Sequence, residues 1–191
     1  MSSWLEAAPP EEVAAGSLKL RRLRIDDAEL LARLINENLR HLQPWMPWAQ
    51  SPHSVDEQLG FLERMQAAWE GLTDFGFTAV LDGEAIGGMG LHTRQGPGTL
   101  EIGYWMAAAH TGRGHATAAS RALTGVGFGL RGVERVEIRC DQANGASAAV
   151  ARKLGYRLRE LYDREPAAPG ETGRAMVWEM RREDWGRADL G

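Results

Sequence analysis

A meander that runs into a glycine-rich crossover limits what this chain can fold into more than any other feature. Phe75 to Leu81 and Ala85 to Leu91 are strand-like runs joined by Asp82-Gly83, a tight hairpin dipeptide, and the turn Gln95 to Gly98 leads into a third run. That run, Thr99 to Met106, alternates: Leu100, Ile102, Tyr104 and Met106 share one face, while Thr99, Glu101, Gly103 and Trp105 share the other. TGRGHA, residues 111–116, then opens a helix of small residues to about Gly129, and Val133 to Cys140 forms the next strand. Strand, helix and strand in that order make a crossover, which places the strand at Val133 beside the meander. The pattern predicts an α/β fold with a mixed, mostly antiparallel central sheet.

The flanking segments complete the expected order. Leu18 to Arg24, LKLRRLR, runs near period 2 as a half-buried first strand. Asp26 caps a helix over Asp27 to Arg40, in which Leu30, Leu31, Leu34, Ile35 and Leu39 recur at helical spacing. Ser54 and Glu57 have capping-box spacing ahead of Leu59, Phe61, Leu62, Met65 and Trp69, so a second helix runs to about Gly71. Beyond the crossover, Asn144 caps a helix through Leu154 that closes at Gly155, and Tyr156 to Tyr162 and Ala175 to Met180 are the last strands. About six to seven strands and about four helices result. A length of 191 residues suits one domain at about 150 residues per domain. That domain is expected over 18–182, after an arm of residues 1–17 with at most a turn of helix before Gly16, and before a charged tail of residues 183–191.

Composition removes several function classes. A net charge of −4 argues against a general polyanion binder, so no direct nucleic-acid partner is expected. Cys140 is the single cysteine and cannot form an internal disulfide, and the five histidines show no zinc-ligand spacing. A reducing, cytoplasmic protein without metal is expected. No apolar run approaches the ~18 residues of a spanning helix, and the N-terminus carries acids where a signal peptide has a basic start, so neither membrane insertion nor export is expected.

The chemistry is concentrated at residues 111–117. Gly112 and Gly114 precede a helix N-terminus, where several backbone N–H groups and the positive end of the helix dipole meet, an arrangement suited to phosphate. Arg113 and His115 add charge or hydrogen bonds at the rim. Glycines before a helix are also ordinary turn residues, so the segment alone leaves both readings open. Thr117 stands where a dinucleotide fingerprint has its third glycine, and G-K-[ST] is absent, which disfavours a nicotinamide-binding oxidoreductase and a P-loop.

From Leu18 to Tyr162 the chain resembles the GCN5-related N-acetyltransferases (GNAT), and within them the RimJ/RimL type that acetylates N-termini of ribosomal proteins. The family's [QR]-x-x-G-x-[GA] motif falls on Thr111 to Ala116, with Gly114 and Ala116 in the small-residue places and Thr111 departing from Gln or Arg. A second motif fits Asn144, Ser147, Lys153, Gly155 and Tyr156 together, and LRRLRIDDAELL, HLQPWMPW, EIGYWM and AVARKLGY are similar to the branch pattern. The resemblance implies the GNAT fold and acetyl-CoA as cofactor. It implies that backbone at Trp105 and Met106 bonds the pantetheine arm and polarises the thioester. Gly112, Arg113, Gly114, His115, Ala116 and Thr117 would hold the pyrophosphate, with Asn144 a further cofactor contact. The implied activity is acyl transfer to a primary amine, either a protein N-terminus, as on a ribosomal protein, or a small-molecule amine, by direct attack in a ternary complex. Succinyl-CoA as donor, and a non-catalytic CoA-binding module, are the alternatives.

The resemblance also implies two catalytic residues for that reaction. Glu101, mid-strand, is the expected base, against the alternative of a salt bridge across the sheet. The tyrosine that many relatives carry seven residues after the motif asparagine is Ala151 here, and the resemblance to the RimJ/RimL branch implies that Ser147 protonates the thiolate instead, its alternative being helix capping with Asn144. Trp45 and Trp48, among three prolines, are expected to line the acceptor site, with core packing or a dimer contact as alternatives. Exposed strands and this loop allow a homodimer. Cys140 is given no catalytic role, His115 is expected to touch phosphate, and His110 reads as a solvent-facing loop residue.

Overall fold

Residues 3–188 are described by a computed structural model. Within them one sheet takes β1 (Glu12–Ala15), β2 (Leu18–Arg22), β3 (Asp74–Leu81), β4 (Glu84–His92), β5 (Thr99–Met106), β6 (Arg135–Asp141), β7 (Arg157–Asp163) and β8 (Arg174–Arg181) in the order β1-β2-β3-β4-β5-β6-β8-β7. The α-helices among the described residues are α1 (Ala28–Glu37), α2 (Leu39–Leu42), α3 (Val55–Glu70), α4 (His115–Gly129), α5 (Gly145–Lys153) and α6 (Arg182–Ala188). Every strand pair is antiparallel except β5–β6, which the α4 crossover makes parallel, as the order of the runs predicts.

Local chemistry accounts for most boundaries. Asp82 and Gly83 both have positive φ, 50° and 88°, which a two-residue hairpin turn requires. The Ser54 hydroxyl accepts the Glu57 N–H at 3.2 Å while the Glu57 carboxylate accepts the Ser54 N–H at 2.7 Å, closing the expected capping box of α3. The start of α1 is set by Asp27 and not by the expected Asp26: its carboxylate accepts the Arg24 N–H at 2.8 Å and two Arg21 N–H groups at 3.0 and 2.7 Å. α1 also stops at Glu37, short of the expected Arg40. Asn38 donates back to the Leu34 carbonyl at 2.8 Å and accepts the Ala108 N–H at 2.8 Å, which ties the helix end to the loop after β5.

The eighth strand comes from the N-terminal segment. Residues expected as an arm form β1, which pairs with β2 from Glu12↔Arg21 to Ala15↔Leu18 through a turn at Gly16, and Leu5 is buried. Glu-Val-Ala-Ala is too short and too poor in β-formers to read as a strand, and its pairing comes from the partner. The expected charged tail likewise begins with α6, where Trp185 packs at a tilt against Phe128 and Arg182 donates to the carbonyls of Phe128, Leu130 and Val133. Residues 189–191 of that tail lie outside the described residues.

Helices α1 to α3 cover one face of the β2–β5 half through Leu31, Ile35, Leu42 and Leu62, with Trp105 packed against them. Helices α4 and α5 cover the opposite face, where Leu123, Phe128 and Leu154 meet Phe77, Leu100, Ile102, Val136 and Ile138. The β5–β6 pairing runs only from Thr99↔Arg135 to Ile102↔Ile138, although β5 continues to Met106 and β6 to Asp141. The two strands therefore part, and the wedge opens at their C-terminal ends, where ligands bind in open α/β sheets.

Candidate active site

The wedge leads into a cavity of about 1510 Å³. A site for one small ligand measures roughly 300–1,000 Å³, so this volume suits a long ligand together with a second molecule. Residues of β4, β5 and β6, the starts of α4 and α5, and the loop and helix from Trp45 to Met65 all contribute to its wall.

One end is built for an anion. Gly112 and Gly114 have φ of 71° and 84°, and a Cβ on either would meet nothing within 4 Å, so the glycines serve backbone conformation and leave the mouth open. No side chain caps α4, which leaves its first-turn N–H groups available. His115, Ala116 and Thr117 line the cavity there, whereas Arg113 is exposed outside its wall. His110 corrects its expected solvent-facing place: it is half-buried on the cavity wall, its ring 5.9 Å from that of His115 and its Nδ1 buried without a hydrogen-bond partner among the described residues. Beside this end, parting from β6 leaves one backbone edge of Gly103 to Met106 without a strand neighbour among the described residues. The uncapped helix start, the open strand edge and the orphaned His110 nitrogen fit a ligand with a phosphate head and an amide-bearing arm.

On the α4–α5 side of β5, Asn144 accepts the Ser147 N–H at 3.1 Å and so caps α5, which leaves the Ser147 hydroxyl free for other partners. Tyr104 Oη lies 2.9 Å from Ser147 Oγ. Burial raises the Tyr104 pKa well above the ordinary phenol value, with the Ser147 hydrogen bond opposing, so the pair stays protonated across the physiological range. Burial also pushes the Cys140 thiol upward, against hydrogen bonds from Ser147 and Trp178, so it is not a nucleophile poised as thiolate. Sequence reasoning placed Tyr104 on the correct face but missed its contact with Ser147, which depends on how α5 docks.

The other face of β5 carries Glu101 and Trp105. Glu101 lines the cavity, its Oε2 accepting the Gln95 side-chain N–H at 2.6 Å with Arg139 Nε 4.0 Å away. Trp105 lies flat on β4 because Gly88 has no side chain: a Cβ there would sit 2.5 Å from the indole nitrogen. Trp48 packs edge-on against Trp105 at 6.0 Å and against His53 at 5.9 Å, and Trp45 completes this apolar wall. All the sequence-derived site residues except Arg113 thus meet at one cavity.

Residues 17–157 match the family described as acetyltransferase (GNAT) domain. The chain belongs to the GNAT acetyltransferase family. It is 33% identical over 144 residues to YdaF of Bacillus subtilis (strain 168), a protein provisionally named a ribosomal N-acetyltransferase, covering 73% of this chain and 77% of that one. Among solved GNAT structures, RimJ of Mycobacterium smegmatis in complex with a CoA disulfide superposes with a TM-score of 0.80 at 27% identity, covering 95% of this chain and 90% of that one. RimL, a ribosomal L7/L12 α-N-protein acetyltransferase in complex with coenzyme A, shares the fold with a TM-score of 0.82 at 20% identity, covering 90% and 98%. This chain is an N-acetyltransferase of that fold, with a sheet one strand larger than the sequence pattern predicts.

Proposed function

We propose that this GNAT enzyme transfers an acetyl group from acetyl-CoA to the α-amine of a protein N-terminus, in the manner of the ribosomal-protein acetyltransferases it resembles. The observation that carries the reading is the wedge between β5 and β6, with a phosphate-suited helix start at one end and proton-handling groups on both faces of β5. Bound acetyl-CoA supplies an activated acyl thioester. The first turn of α4, with Gly112, Gly114, His115, Ala116 and Thr117, would hold the pyrophosphate, and the open edge at Trp105 and Met106 would hold the amide arm and help polarise the carbonyl. Asn144 fixes the start of α5, and the Tyr104–Ser147 pair delivers a proton to the departing sulfur, a role expected of Ser147 alone. Trp45, Trp48 and Trp105 bound the acceptor's entrance with apolar surface, and the carboxylate of Glu101 draws an ammonium group toward it.

No helix among the described residues is long and apolar enough to cross a membrane. We place its action in the cytoplasm, where ribosomal N-termini and acetyl-CoA meet. Thermal unfolding with saturating acetyl-CoA, succinyl-CoA and NADH tests the donor. A ligand at 100 times its Kd adds about 2.7 kcal/mol, which raises the midpoint of a domain this size by roughly 5–10 °C. A shift with acetyl-CoA alone, followed by mass-spectrometric acetylation of ribosomal N-terminal peptides, is the expected outcome. A larger shift with succinyl-CoA would change the donor, and no shift with either thioester would overturn the reading.

A further inference from the structure

The amine must lose a proton before it can attack, and the group placed to take it is on β4. We propose that His92, oriented by Asp74, is the catalytic base of this enzyme. The inference rests on the acetyl-transfer reading above and names a residue of the same site.

Strand register brings the groups together. Asp74 on β3 stands directly across from His92 on β4, and His92 directly across from Glu101 on β5, so the three form one transverse row on the acceptor face of the sheet. In the adjoining row the same register aligns Gly76, Gly90 and Gly103. The His92 ring leans over this glycine row: a Cβ on Gly90 would sit 2.6 Å from Nε2, and one on Gly103 would sit 3.2 Å away. Any side chain at Gly90 would displace the ring. The glycines thus carry the imidazole to the stretch of β5 whose backbone edge the wedge exposes.

Nδ1 is hydrogen-bonded to the Asp74 carboxylate, while Nε2 has no hydrogen-bond partner among the described residues and the ring lines the cavity. A carboxylate at Nδ1 selects the tautomer with its proton there, which leaves the Nε2 lone pair facing the cavity. The His92 side chain is 17% exposed, sheltered but reachable by one water. Glu101, the base expected from sequence, has its Oε2 already taken by Gln95 and faced by Arg139. Arg94 also stands beside this pair, its Nη2 3.9 Å from Asp74 Oδ1, and α3 adds Asp56, Glu57 and Arg64 to the wall of the same cavity.

The balance is simple. Nε2 takes one proton from the acceptor's ammonium group, directly or through a water, and becomes imidazolium beside Asp74. The free amine forms the C–N bond as the C–S bond breaks, and the sulfur leaves with the electron pair and takes its proton from the Tyr104–Ser147 side. His92 releases its first proton to solvent before it takes the second proton of the attacking nitrogen, and the Tyr104–Ser147 pair regains a proton from solvent after the thiol leaves. Base and acid lie on opposite faces of β5, so neither blocks the other.

His92→Gln, Asp74→Asn and Glu101→Gln, assayed with acetyl-CoA and a peptide bearing a free N-terminal serine, test the assignment. General-base removal costs roughly 10²–10⁴-fold, so His92→Gln should lose at least about 100-fold in kcat and flatten the acidic limb of the kcat/KM profile. Its acetyl-CoA thermal shift should stay at the wild-type value. Asp74→Asn should lower kcat at an unchanged acceptor KM and remove the preference of the His92 proton for Nδ1, changes that a merely structural ion pair would not produce. Independently of turnover, nitrogen-15 spectra of the free enzyme should show His92 with its proton on Nδ1. A wild-type rate in His92→Gln, loss of the acidic limb in Glu101→Gln instead, or a proton on Nε2 would each overturn the proposal while leaving acetyl transfer intact. Loss of the wild-type acetyl-CoA shift would overturn the underlying reading and the base assignment with it.

Discussion

Asp141, at the end of β6 where the wedge opens, is 2% exposed and accepts four hydrogen bonds: the N–H of Ala143 at 2.9 Å, the N–H and hydroxyl of Thr172 at 3.1 and 2.8 Å, and the N–H of Gly173 at 2.9 Å. Burial alone would raise its pKa, but these donors outweigh burial and hold it below the usual carboxylate value. The unfolded value is about 3.9, so the carboxylate contributes its full stability above that pH and loses it as pH falls through the lower folded value. Asp141→Asn should lower stability at pH 7 by about 2–3 kcal/mol, since bonds to a charged acceptor are replaced by weaker ones and an amide must be housed. Urea titrations at pH 7 and pH 3 check this. The gap between wild type and variant should shrink markedly at the lower pH, and an equal gap at both would show that the charge is not what the donors hold.

At the scale of elements, α4 separates the two readings that its glycines left open. Gly114 adopts φ of 84° as N-cap with nothing near its missing Cβ, so alanine there costs about 1–2 kcal/mol in backbone strain and meets no steric clash within the protein. If the first turn of α4 cradles the pyrophosphate, Gly114→Ala should also cut the acetyl-CoA-induced thermal shift by more than half, because the cradle is distorted and the new methyl group enters its mouth. A retained shift with only the intrinsic loss would leave Gly114 an ordinary turn residue. The start of α4, the meander and the α3 capping box were legible in the sequence because each is specified by residues a few positions apart. The His92–Asp74 pair, the Tyr104–Ser147 contact and the Gly76-Gly90-Gly103 row were not, since each joins segments whose pairing no local pattern states. β1 was hidden for the same reason: Glu12–Ala15 acquires its strand character from Leu18–Arg22.

For the whole molecule, the acceptor face of the sheet is covered in two different ways. Over the β2–β5 half α1 and α3 supply apolar cover, but Glu137, at the centre of β6 on that same face, is closed over by charge. It has no exposure, and its carboxylate receives Arg135 Nε at 2.9 Å, Arg139 Nη2 at 2.8 Å and Arg159 Nη1 at 2.7 Å. Register continues the active-site row through it, from Glu101 to Glu137 to Glu179. Removing one member of such a buried group leaves the others uncompensated, which costs about 3–5 kcal/mol, far more than an exposed ion pair contributes. Glu137→Gln should therefore lower the unfolding free energy obtained from urea titration by an amount in that range. Glu137 does not line the cavity, so acetyl-CoA should still stabilise the variant by the same increment. Arg139 lines the cavity and is held by Glu137, so its release would bring it onto Glu101 and weaken attraction of the acceptor's ammonium group. The variant should accordingly show a raised acceptor KM at unchanged kcat. An unchanged acceptor KM would mean that the charged half of the sheet closes the fold without tuning the site beside it.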